Sequence, residues 1–205
     1  MRFLFIIVFV MAIIKGDKVL NTALDSMLQV LAYWMGLRKA INDVVYEHDC
    51  VHEACSILRS LLGKDYRIKY EYAYTKLDKT CKSKKRADLV VLRKTENGES
   101  PICVMEFKMS SNTNSGVLSD VKKLSKISRE DLTKLVILMY WNESKILREL
   151  YTEEEGIDIV APSRPVLIPK DKGTYTVSVH RVAKARAAIN NSKRSPYMAI
   201  CIGIK

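Results

Sequence analysis

The sequence predicts an α/β fold, a mixed β-sheet flanked by helices, and three features predict it. Residues 19–62 repeat apolar side chains at helical spacing, two strand-like runs flank Asn97-Gly98, and Leu135 to Trp141 (LVILMYW) is a nearly continuous apolar run. Helical periodicity marks amphipathic helices. Asn-Gly between apolar runs is the strongest short hairpin signal, and an unbroken apolar run suits a strand covered on both faces. Helices, hairpin and buried strand together fit a layered α/β arrangement rather than a bundle or a barrel.

The elements follow in order. Leu20, Ala23, Leu24, Met27, Leu28 and Leu31, then Ile41, Val44 and Val45, then Ala54, Ile57, Leu58 and Leu61 outline two or three helices. Gly36 is expected to break them and Gly63 to end the last as a C′ residue. Arg67 to Thr75 (RIKYEYAYT) alternates and reads as a strand. A basic loop, Lys76 to Arg86, leads to a second strand, Ala87 to Arg93, and the hairpin returns as a third, Ile102 to Met109. A helix over Leu118 to Ile127 and the strand Leu135 to Trp141 come next. Glu143 to Tyr151 reads as helix, Ile157 to Ala161 and Thr174 to Val182 as strands, Ala183 to Ile189 as a short helix, and Met198 to Ile204 as a last strand.

The chain's 205 residues fit one domain, taken as 16–205, with enough length to bury a core without staples. Lys and Arg number 34 against 23 Asp and Glu, a net charge of +11. Such an excess favours a polyanionic partner, nucleic acid being the commonest. The five cysteines are odd in number and none forms CxxC, which argues against a disulfide scaffold or a structural zinc site. Absence of a P-loop, GxGxxG or GxSxG sets aside the nucleotide-binding and hydrolase classes those motifs mark. Residues 1–15 form an apolar start, Met1-Arg2 then Phe3 to Ile14, resembling the front of a secretory signal but too short to span a bilayer as a helix. No small-x-small cleavage site follows promptly. An intracellular location, nuclear in a eukaryotic cell, is the expectation, with secretion the alternative; a membrane partner is not expected.

Chemistry concentrates in Arg86-Ala87-Asp88-Leu89-Val90-Val91-Leu92 and Val104-Met105-Glu106-Phe107-Lys108. Two carboxylates and a lysine stand at the ends of otherwise apolar strands. Burying such charges is costly unless they serve one another or a bound ion. Glu106 and Lys108 are two apart and share a face. A two-residue turn at Asn97-Gly98 would set Asp88 opposite Phe107, so Asp88 joins that face only with a register shift or a bulge. Asp120-x-Lys122 and Glu143-x-Lys145 repeat the carboxylate-x-Lys pattern, but both read as solvated helical faces.

Arg86-Ala87-Asp88, seventeen intervening residues, then Glu106-Phe107-Lys108 resembles the motif of the PD-(D/E)xK nucleases, the restriction-endonuclease-like fold. Its core order of helix, three strands, helix and strand matches residues 40–141, about half the chain. Ala87 stands where the family usually has proline, and the lack of any Gln after Gln29 disfavours the branch with a downstream Gln-x-x-x-Tyr. The resemblance implies that Asp88, Glu106 and the Phe107 carbonyl hold Mg²⁺, or Mn²⁺ in its place, with Lys108 orienting the attacking water. It also implies an acid from the first core helix: Glu53 is the first choice, Glu47 the second, Asp49 and His52 behind them. The activity implied is an endodeoxyribonuclease; the alternative is a nucleic-acid-binding module of the same fold without turnover. A homodimer is compatible with either.

Beside this site Lys79, Lys82, Lys84, Lys85 and Arg86 are expected to clamp a nucleic-acid backbone. Tyr66, Tyr70, Tyr72 and Tyr74 share a face and most simply pack on a helix, with base stacking the lesser alternative. His48 and His52 lack a third ligand for zinc. His180-Arg181 ends a later strand and is a weaker phosphate candidate.

Overall fold

The computed structural model describes residues 17–41, 43–81, 84–109, 115–140, 165–170, 173–185 and 197–204. The apolar start, Lys82, and the helix and strand expected within 143–161 lie outside them. In chain order the elements are α1 (Lys18–Ala40), α2 (Glu47–Leu61), β1 (Tyr66–Ala73), α3 (Tyr74–Leu77), β2 (Arg86–Thr95), β3 (Gly98–Met109), α4 (Ser115–Leu124) and β4 (Thr133–Tyr140). They are followed by β5 (Pro165–Lys170), β6 (Gly173–Ala185) and β7 (Tyr197–Ile204). One seven-stranded sheet runs β1-β2-β3-β4-β7-β6-β5. All neighbours are antiparallel except β3 and β4, which are parallel and joined through α4. The α/β class and the mixed sheet are therefore as expected. Among the described residues no helix is long and apolar enough to cross a membrane.

Alternation along the strands divides the core. Leu89, Val91, Cys103, Met105, Phe107, Leu135, Ile137 and Met139 face α1 and α2, meeting Leu20, Leu24, Leu28, Leu31, Ala54 and Leu58. Val90, Val104, Val136 and Leu138 lie on the other face and are buried too, as are Val121 and Leu124 of α4. Residues 135–139 of β4 are therefore buried throughout, as an apolar run between two covered faces requires. Burying each large side chain contributes about 1.5–3 kcal/mol.

Several local readings change. Gly36 does not break α1, which continues to Ala40; a glycine in a helix costs about 1 kcal/mol and packing overrides it. Gly63 does not take a left-handed conformation, because the cap residue Leu62 is already extended and its N–H donates to the Leu58 carbonyl. Ala183 to Ala185 continue β6 instead of starting a helix. β5 is not among the strands read from the sequence; it contains Pro165 and Pro169 and forms at the sheet's edge, where proline is tolerated. The tyrosines do not share one face. Glu71 takes a positive φ of 47° and is absent from the pairing between Tyr70 and Tyr72. Tyr66 and Tyr70 pack against the helical core while Tyr74 turns into α3 and is buried.

The hairpin carries the decisive irregularity. Its turn is Glu96-Asn97, with Thr95 opposite Gly98 and Leu92 opposite Pro101; the next pair is Val91 with Cys103. Ile102 is thus an extra residue in β3. It packs on the same core as Cys103, as side chains of a β-bulge do. Pro101 has no N–H to donate, so the break falls where the ladder is already weakest.

Asp17 anchors the start of α1. Its carboxylate accepts from the Leu20 N–H at 2.9 Å, from the Tyr66 hydroxyl at 3.0 Å and from the Arg93 guanidinium, tying helix, β1 and β2 together. Asp17→Ala is expected to cost about 2 kcal/mol in urea unfolding, and Asp17→Asn less because it still caps. Equal losses for both variants would show that the cap is not the important contact.

Candidate active site

The bulge determines which side chains meet. Continuing the register past Leu89–Met105 brings Asp88 opposite Glu106, whereas without Ile102 it would face Met105 on the other side of the sheet. Asp88, Glu106 and Lys108 therefore share the face covered by α4. The Asp88 carboxylate accepts the Phe107 N–H at 2.7 Å.

The α2 carboxylate that reaches Lys108 is that of Glu47, the second choice, and not that of Glu53. Both Glu47 oxygens accept from Lys108 Nζ, at 3.1 and 3.0 Å, and Oε2 also takes the Met109 N–H at 3.1 Å. Topology explains it. The chain reverses from α2 into β1, and β1 runs in the same direction as β3, so the N-terminus of α2 lies at the end of β3. Glu53 is six residues on, about 9 Å along the axis, and no hydrogen bond or ion pair among the described residues links it to Lys108 or Glu106. A carboxylate in the first turn also suits the helix dipole. Asp49 instead accepts the Tyr46 N–H, and His52 lies against the Tyr70 ring.

Helix α4 adds two groups that the sequence reading passed over. Asp120 is not on a solvated face: it is 3% exposed. Lys123 Nζ bonds Asp120 at 2.5 Å and lies 3.7 Å from Glu106 Oε2, while the other Asp120 oxygen is 3.8 Å from Lys108. The signal was present: Asp120 lies four residues before Leu124 and three after Val117, on the helix's apolar stripe. Tyr74 completes the cluster by donating its hydroxyl to Glu106 Oε1.

Two ammonium groups thus interleave with four carboxylates. Burial pushes the Glu106 carboxyl up to about 8, with the charges of Asp88 and Asp120 adding and the Tyr74 bond and Lys123 opposing. Burial also raises Asp88, against the lowering effect of the Phe107 N–H. Burial disfavours charge on Lys123, but its bond to Asp120 and the surrounding acids outweigh that and raise its pKa. Among the described residues no three His, Cys, Asp or Glu side chains converge as a preformed metal cage. The donor chemistry still fits a hard cation, because Asp88 and Glu106 offer oxygen only and their repulsion is relieved by added positive charge.

Lys79, Lys84, Lys85 and Arg86 are exposed on the segment that leads from α3 into β2 and Asp88. Their loop is pinned by Asp78, whose carboxylate accepts from Thr80 and Ser128 through both backbone and hydroxyl groups at 2.6–2.8 Å. Those bonds, Ser128's first, hold Asp78 well below the usual carboxylate range. His180 falls at an irregularity of β6, between Val179 and Arg181. No known family, curated protein or solved structure matches this chain.

The raised Glu106 pKa has a signed consequence. The folded state keeps a proton that the unfolded chain loses near pH 4.5, so this group's stabilisation is complete below that pH and is lost as pH rises towards about 8. In metal-free buffer the urea midpoint is expected to fall across that window, and to fall less in Glu106→Gln. Parallel curves for the two proteins would assign the titration to other groups.

Proposed function

We propose that the protein is a Mg²⁺-dependent nuclease that hydrolyses phosphodiester bonds, acting as an endonuclease on DNA. The observation that carries this reading is the meeting of Asp88, Glu106 and Lys108 on one face at the bulged end of β3, with Glu47 closing on Lys108. The order α2, β1, β2, β3, α4, β4, broken only by the single turn of α3 after β1 and with β4 parallel to β3, supports the restriction-endonuclease-like core that the motif resembles.

In this reading Asp88, Glu106 and the Phe107 carbonyl hold the ion, for which Mn²⁺ substitutes. When bound, Mg²⁺ polarises the scissile phosphate and acidifies a coordinated water. Lys108 orients the attacking water and offsets charge on the phosphate, its ammonium aimed by both oxygens of Glu47. Lys79, Lys84, Lys85 and Arg86 hold backbone phosphates beside the site, independent of base sequence.

A nucleic-acid-binding module without turnover is the second reading. One observation favours it: both ammonium groups of the cluster already have carboxylate partners, the pattern of a structural ion network.

Cleavage of supercoiled plasmid, linear DNA and RNA in Mg²⁺ against EDTA separates the two. Cleavage of plasmid DNA is expected, lost in EDTA and reduced about 100-fold or more in Lys108→Ala. Activity unchanged by Lys108→Ala sinks the proposed site; salt-dependent binding with no cleavage leaves the second reading.

Binding has its own test. Lys84→Ala and Arg86→Ala are expected to weaken binding to unrelated sequences alike, each lowering the slope of log K against log salt by about 1. An unchanged slope would remove the basic loop from the interface.

A further inference from the structure

Both oxygens of Glu106 are engaged, one by Lys123 and the other by Tyr74, a side chain 1% exposed. Tyr74 is held at its backbone as well as at its hydroxyl. Its N–H donates to the Lys85 carbonyl at 3.2 Å and its own carbonyl accepts the Asp78 N–H at 3.0 Å, closing the single turn of α3. Leu77, in the same turn, is buried. Packing alone is satisfied by phenylalanine at such a position; a buried tyrosine requires a polar partner, and the partner here is a carboxylate of the proposed site. Resting on the nuclease reading, we propose that Tyr74 is a positioning residue for Glu106, setting the carboxylate's orientation toward a divalent cation. Through the bond to Lys85 the same turn joins the base of the basic loop to that carboxylate, so the phosphate-binding surface and the metal-holding oxygen are fixed by one element.

Partners of metal-holding side chains typically change metal affinity by about 10–100-fold. The test uses the full chain in three forms: wild type, Tyr74→Phe, and Leu77→Ala as a control that loosens α3 without touching Glu106. Plasmid cleavage is titrated with Mg²⁺, and Mn²⁺ binding is measured by calorimetry with circular dichroism to check folding. Tyr74→Phe is expected to raise the half-maximal Mg²⁺ and the Mn²⁺ dissociation constant about tenfold, with cleavage recovering at high Mg²⁺. Leu77→Ala is expected to lower the thermal midpoint and leave both metal values in place. Tyr74→Phe equal to wild type in a protein that cleaves overturns the positioning role and leaves the nuclease reading standing. A similar shift in Leu77→Ala also overturns it, since general loosening would then explain the effect. If the wild type binds Mn²⁺ without cleaving, weaker binding by Tyr74→Phe upholds the positioning role while the turnover reading falls. If it neither cleaves nor binds Mn²⁺, both fall.

Discussion

A single extra residue, Ile102, brings Asp88 onto the face of the sheet that displays Glu106 and Lys108. Strand side chains alternate with a period of two, so one inserted residue moves everything beyond it to the other side of the partner strand. Below the bulge β2 and β3 pair as a regular hairpin; above it Asp88 aligns with Glu106 instead of Met105. Pro101 makes this inexpensive, because a residue without an N–H has no ladder bond to forfeit. Because Ile102 and Cys103 both turn to the helical core, apolar burial on that face stabilises the arrangement that brings charges together on the other.

The charged face is then an exercise in electrostatic compensation. Glu106 and Asp120 are almost fully buried, and burying an ionised carboxylate without partners costs far more than any surface pair returns. The protein answers with alternation: Glu47 against Lys108, Asp120 between Lys108 and Lys123, and Glu106 between Lys123 and Tyr74. Four carboxylates still outnumber two ammonium groups. Burial, with the excess negative charge adding to it, is what holds the Glu106 proton to about pH 8, and that excess makes added positive charge favourable at this point.

The parts legible in the sequence were those where a pattern of one kind is interrupted by another. Asp88, Glu106 and Lys108 stood out because they end apolar strands. Asp120 broke the apolar stripe of α4 in the same way, but the polar residues around it made it look solvated. Glu47 required the topology: only when β1 and β3 are known to run in the same direction does the start of α2 fall beside Lys108. The apolar pattern drew attention to Glu53 and helix propensity set a break at Gly36, whereas the tertiary structure brings Glu47 to Lys108 and carries α1 through Gly36. Tyr74 was the least legible, because the positive φ at Glu71 removes the strand alternation from which its face was read.

That irregularity at Glu71 carries the last step of synthesis. In the register of β1 and β2 the position opposite Asp88 belongs to Glu71, and in a regular strand its carboxylate would lie on the site's own face. A fifth acid there would deepen the excess of negative charge. With φ at 47° the residue leaves the ladder and is exposed, at a backbone cost of order 1–3 kcal/mol. The same departure lets the chain turn within three residues from strand into α3, delivering Tyr74 to Glu106. One strained residue thus keeps an acid out of the cluster and brings a hydrogen-bond donor in, just as one inserted residue in β3 brings the paired carboxylates to a common face.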